Sequence, residues 1–68
     1  MVRSNELAAR RKIKGATQED CAKIIGCSVT TYCNKENNKA MFTIEDVKLL
    51  SDYLDIVLPE DKVYIFLA

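Results

Sequence analysis

The segment TQEDCAKIIGCSVTTYCNKE, residues 17–36, leaves this chain few ways to fold. Thr17 offers a side-chain oxygen to the free N–H groups that open a helix, and Asp20 follows three residues later, the spacing of a capping box. Cys21, Ala22, Ile24 and Ile25 then recur at helical spacing and supply an apolar face. Gly26 ends that helix where the backbone needs a positive φ, which glycine adopts at no steric cost. Two residues on, Ser28 can cap a second helix. In that helix Tyr32 points inward, while Val29, Thr30, Cys33 and Asn34 fall on the outward side. The pattern predicts two short helices with a tight joint.

Two helices joined in this way form a helix-turn-helix unit, whose second helix enters the DNA major groove. Thr17-Gln18, Ala22, Gly26, Ser28, Tyr32 and Glu36 resemble the pattern of the Cro/repressor (Xre) family of helix-turn-helix regulators. Arg11 and Gly15 fit the same pattern upstream, as R-x-x-x-G-x-T-Q. The resemblance extends less sharply through TIEDVKLLSDYLDI and the PEDKVYIFLA tail, so it covers nearly the whole chain. It implies an all-α, five-helix lambda-repressor-like domain over residues 1–68, with a double-stranded DNA operator as partner. Four positions depart from the family pattern. Arg10, Cys21 and Lys35 stand where larger apolar residues are usual, and Asn38 stands where glycine is usual.

The resemblance also implies roles residue by residue. Ser28, Val29, Thr30, Cys33 and Asn34 are expected to face base edges. Asn34 can read adenine through its amide, and Val29 or the Thr30 methyl can meet a thymine methyl. Gln18, at the positive start of its helix, is expected to anchor a phosphate with its side chain and backbone N–H together, with Thr17, Asn37 and Lys39 also touching the backbone. The bland readings are a first-turn residue for Gln18 and solvated positions for Thr30 and Asn34. This surface has no arginine, so specificity is expected to lean on A·T contacts and DNA shape. Arg11 and Glu36, 25 positions apart, are implied to form an ion pair that fixes the angle of the reading helix.

Outside this unit the expected helices are three. Ser4 can cap a first helix to about Lys14, with Leu7, Ala8 and Ile13 available to the core. Asn37-Asn38 can close the reading helix, because Asn tolerates the left-handed conformation. Thr43 and Asp46 repeat the capping-box spacing, and Ile44, Val47, Leu50 and Leu54 trace an apolar stripe. Pro59-Glu60-Asp61 starts a fifth helix. Val63 to Leu67 is uninterrupted apolar or aromatic sequence, compatible with helix or strand; the helix-start signal and the family resemblance favour helix. That tail either closes the core or, through Tyr64 and Phe66 or their neighbours, forms a dimer interface. Because one such unit covers about one half-site, a homodimer on DNA is the expectation.

Charge and inventory narrow the function classes. Residues 1–41 hold eight Lys/Arg against four acids, net +4, and residues 42–68 hold two against six, net −4. The split suits a protein that meets a polyanion with one side, or is ordinary surface charge that happens to segregate. No histidine is present, so Cys–His and Ser–His catalytic pairs are excluded. Cys21, Cys27 and Cys33 are spaced too widely for a zinc site, and three is an odd number for a disulfide framework. Cys21 and Cys27 read as small core residues. No metal, cofactor, small-molecule substrate or catalytic group is expected. No apolar run approaches the roughly 20 residues of a membrane span, and the N-terminus lacks a signal-peptide core, so a cytoplasmic location is expected. At 68 residues one core is expected and no effector domain, which favours a Cro-like regulator. A second reading keeps the fold but binds protein, as an antitoxin or antirepressor-like partner.

Overall fold

Local capping chemistry sets the helix boundaries in the computed structural model, which describes residues 1–67. The helices are α1 (Ser4–Lys14), α2 (Gln18–Ile25), α3 (Val29–Glu36), α4 (Ile44–Tyr53) and α5 (Pro59–Phe66), and no strand occurs among the described residues. Thr17 and Thr43 each accept the N–H of the Asp three residues on, and that Asp side chain accepts the Thr N–H in return. Both capping boxes therefore form as the spacing predicts. Gly26 closes α2 at φ 78°, a left-handed conformation that a Cβ would strain. Pro59 opens α5 at a position whose N–H needs no partner.

The core is one cluster. Leu7 of α1, Cys21 and Ala22 of α2, Tyr32 of α3, Leu50 of α4, and Ile65 and Phe66 of α5 are buried together, with Leu54 and Ile56 beyond the end of α4. Phe42, in the α3–α4 loop, stands edge-on to both Tyr32 and Phe66, with centroids 6.0 and 5.6 Å away. Such edge contacts add about 0.5–1.5 kcal/mol each beyond burial. α2 packs on α3 and α4, while α5 packs on α1 and α4.

Four expectations need correction. Ser4 does not cap α1: Arg3 takes that position, and Ser4 Oγ instead donates to the Glu36 carbonyl at 2.5 Å. Ile13 is 83% exposed, because six residues place it about 240° around the helix from the buried Leu7. Ile44 is 91% exposed for the same reason, lying six residues before Leu50. The working stripe of α4 is Val47 and Leu50, continued by Leu54 at its C-terminal cap. Finally, Phe66 is core at 3% exposure, so it is not available to a dimer interface; Tyr64, half exposed, carries the Arg3 guanidinium 4.3 Å over its ring.

The N-terminal segment is tied down by polar contacts. Arg3 donates its backbone N–H to the Ile65 carbonyl at 2.7 Å and its Nε to the Tyr64 carbonyl at 3.0 Å. Asn38, at φ 65°, accepts the Val2 N–H at 2.7 Å and donates its amide to the Val2 carbonyl at 2.9 Å. Asparagine suits this left-handed position because its side chain makes two hydrogen bonds there that glycine cannot.

Candidate nucleic-acid interface

α3 is presented outward by a buried anchor. Tyr32 is fully enclosed, which turns the opposite side of this eight-residue helix to solvent. Its hydroxyl has no hydrogen-bond partner among the described residues and lies near the Cys21 thiol; burial pushes the Tyr32 pKa well above its ordinary value and raises that of Cys21. Cys21 is therefore an inert core thiol. Ser28 caps α3 by accepting the Thr31 N–H at 3.1 Å. Of the residues expected at base edges, Ser28, Val29 and Thr30 are exposed, whereas Cys33 and Asn34 are half-buried. Thr30 and Asn34 are one turn apart, as are Val29 and Cys33, so these side chains share one face.

The residues expected at phosphates lie at the start of α2, at the end of α3 and in the loop after it. Thr17 is the exposed cap of α2, and Gln18 opens the helix, where first-turn N–H groups lack intrahelical acceptors. The Gln18 side chain, however, donates to Glu36 Oε2 at 2.5 Å. The Gln18 backbone N–H, in the first turn of α2, has no intrahelical acceptor. Asn37 donates its amide to the Cys33 carbonyl at 3.0 Å and to Cys33 Sγ at 3.4 Å. Lys39 is exposed in the loop after α3, and its backbone N–H donates to the Asn34 carbonyl at 2.8 Å.

Glu36 organises the back of the unit. Arg11 Nε donates to Glu36 Oε1 at 2.8 Å and Arg11 Nη2 to Oε2 at 3.5 Å, with both side chains largely shielded from water. Burial opposes the guanidinium charge, but the hydrogen bond and charge of Glu36 outweigh it and raise the Arg11 pKa above its ordinary value. With Gln18 on the carboxylate and Ser4 on its carbonyl, Glu36 joins α1, α2 and α3.

Sequence reasoning missed a second tie. Lys35 Nζ donates to Asp46 Oδ2 at 2.6 Å across the α3–α4 loop, with both side chains mostly buried. Burial would raise the Asp46 pKa, but the Lys35 ammonium and the Thr43 hydrogen bonds hold it below the usual carboxylate range. The signal was available as a charged residue at an expected apolar position. Arg10, the other such cation, meets Asp61 at 3.4 Å, and Lys14 meets Asp55 at 3.2 Å. The charge split along the chain is thus in good part an internal complementarity, in which three cations of the basic half pair with three acids of the acidic half.

An all-α domain with a capped α2–Gly26–α3 joint and an outward α3 face defines the class of helix-turn-helix proteins. A family model described as helix-turn-helix, of the Cro/C1 type, matches residues 7–60. The chain belongs to this family of DNA-binding regulators. No curated protein and no solved structure matches it. No helix among the described residues is long and apolar enough to cross a membrane.

Proposed function

We propose that this chain is a sequence-specific reader of double-stranded DNA that regulates transcription in the cytoplasm as one domain, with α3 in the major groove. The single observation that carries the reading is the outward face of α3, where Thr30 and Asn34 lie opposite the buried Tyr32 and Ser28, Val29 and Cys33 border them. Thr17, the Gln18 backbone N–H, Asn37 and Lys39 flank that face and hold the phosphates on either side of the groove. Arg11 and Glu36 set the helix angle. No catalytic chemistry is part of the proposal.

Specific binding requires two copies on adjacent half-sites, one DNA turn apart. The outward residues of α5, Val63 and Tyr64, support a contact between the copies, since both are about half exposed. Selection of bound sites from randomised duplex DNA tests the function. The expected result is an enriched site with two half-sites whose centres lie about 10–10.5 base pairs apart, rich in A·T contacts. Absence of any enriched sequence, together with binding that ignores salt, overturns the reading in favour of a protein partner on the same fold.

A further inference from the structure

We propose that the Lys35–Asp46 ion pair is a positioning element of the DNA interface, holding α3 and the 37–43 loop in register without itself touching DNA. The inference rests on the DNA-reading function proposed above. Its ground is the way α3 is attached. This helix packs closely on α2, whereas its hydrogen-bonded ties to α1 run through Glu36, by its carboxylate to Arg11 and its carbonyl to Ser4 Oγ, and its tie to α4 runs through the Lys35 side chain. At 100° per residue, Lys35 lies about 60° to one side of the buried Tyr32 direction and Glu36 about 40° to the other. One pair pulls toward α1 and the other toward α4. Together with the packing on α2 they oppose a roll of α3 about its own axis, and Lys35–Asp46 is the charged tie on the α4 side.

The size of such a roll decides whether this matters. A helix with side chains is about 10–12 Å across, so a 20° roll moves its outer tips by about 2 Å. Hydrogen bonds to base edges tolerate only a few tenths of an ångström in length. A roll of that size on loss of the α4-side tie would cost a base contact at Thr30 or Asn34.

The same pair closes the loop that carries Asn37 and Lys39. Asp46 Oδ2 accepts both Lys35 Nζ at 2.6 Å and the Thr43 N–H at 3.0 Å, so one oxygen ties the end of α3 to the start of α4. Inside the loop, Lys39 and Ala40 donate their N–H groups to the Asn34 carbonyl at 2.8 and 3.2 Å. Lys35, turned inward and mostly buried, is thereby removed from the set of cations free to meet phosphate.

Asp46→Asn in the full chain gives the decisive sign. Asparagine keeps an oxygen for the Thr43 N–H and so keeps the cap, but it loses the charge pair. If only charge mattered, removing an acid from a polyanion-binding protein would tighten binding to every duplex. Positioning predicts the opposite: binding to the selected duplex at fixed salt weakens about tenfold or more, after correction for the folded fraction read from a melting curve. Lys35→Met behaves like Asp46→Asn, and Lys35→Arg, which keeps the pair, binds as the unaltered chain does. Amide exchange in the free protein supplies a readout that needs no DNA: Lys39 and Ala40 exchange at least tenfold faster in Asp46→Asn, while Cys21 in the core is little changed. Binding of Asp46→Asn as tight as the parent, or unchanged exchange at Lys39 and Ala40, overturns the proposal. If the parent chain binds no duplex at all, the DNA reading fails separately, and the exchange result still decides whether the pair holds the loop.

Discussion

Replacing Glu36 by Gln removes one charge from the most connected side chain in the molecule. Its carboxylate accepts from Arg11 at 2.8 and 3.5 Å and from Gln18 at 2.5 Å, and the residue is 3% exposed. Gln has the same shape, so packing is preserved, but the pair loses its charge and one of the two accepting oxygens. Breaking a buried pair by removing one partner costs about 3–5 kcal/mol. Arg11 retains some access to solvent and a second acceptor, the Ala16 carbonyl at 3.4 Å, which lowers the figure to about 2–3 kcal/mol. In a domain of this size each kcal/mol shifts the melting midpoint by about 4–8 °C, so a fall of roughly 10–20 °C is expected. Glu6→Gln, an exposed change on α1, serves as the reference and costs within about 0.5 kcal/mol. Thermal or urea unfolding followed by circular dichroism measures both. Arg11→Met combined with Glu36→Gln recovers much of the deficit, because no unpaired buried charge remains. A Glu36→Gln shift no larger than that of Glu6→Gln would refute the reasoning.

Further outcomes follow from the same geometry. Asn34→Ala and Thr30→Ala relax base preference at particular positions of the selected site, by about 1–3 kcal/mol for each good base pairing removed; an unchanged selected site takes that residue out of the set of readers. Lys39→Ala weakens all duplexes alike and lowers the salt slope by about 0.9 per protomer, as a salt titration reads directly. Asn38→Ala destabilises more than Asn38→Gly, since neither can bond to Val2 but only alanine is strained at φ 65°; equal unfolding midpoints contradict this. A chain ending at Asp61 unfolds, because Ile65 and Phe66 are core; a folded truncated chain contradicts the placement of α5. The Asp20 carboxyl is lowered by the Thr17 hydrogen bonds, and that of Asp46 by Lys35 and Thr43 against the effect of burial. With folded pKa values below the unfolded ones, their stabilisation is present above about pH 4 and lost as pH falls through the folded values. Asp46→Asn therefore flattens the acid limb of a stability–pH curve.

The helices were legible because their ends carry chemistry that acts locally. Thr17/Asp20, Gly26, Thr43/Asp46 and Pro59 each satisfy or remove a backbone group within a turn, so sequence spacing alone decides them. Ile13 and Ile44 were misplaced because being apolar does not settle rotation. Only the neighbour that occludes a helix fixes which third of its circumference is inside. The Ser4–Glu36, Asn38–Val2 and Lys35–Asp46 contacts span 32, 36 and 11 residues and depend on how the helices are packed. Their only trace in the sequence is a polar residue at an unexpected position. The outward face of α3 was visible in advance because it follows from where Tyr32 points, whereas the capture of the Gln18 amide by Glu36 was not.

Whether α3 meets DNA is decided by amide chemical-shift mapping of the full chain on the selected duplex. The largest shifts are expected at Ser28–Asn34, with a second group at Thr17, Gln18 and Lys39. Saturable binding that leaves the α3 amides unmoved, with shifts confined to α1 and α5, would contradict that placement.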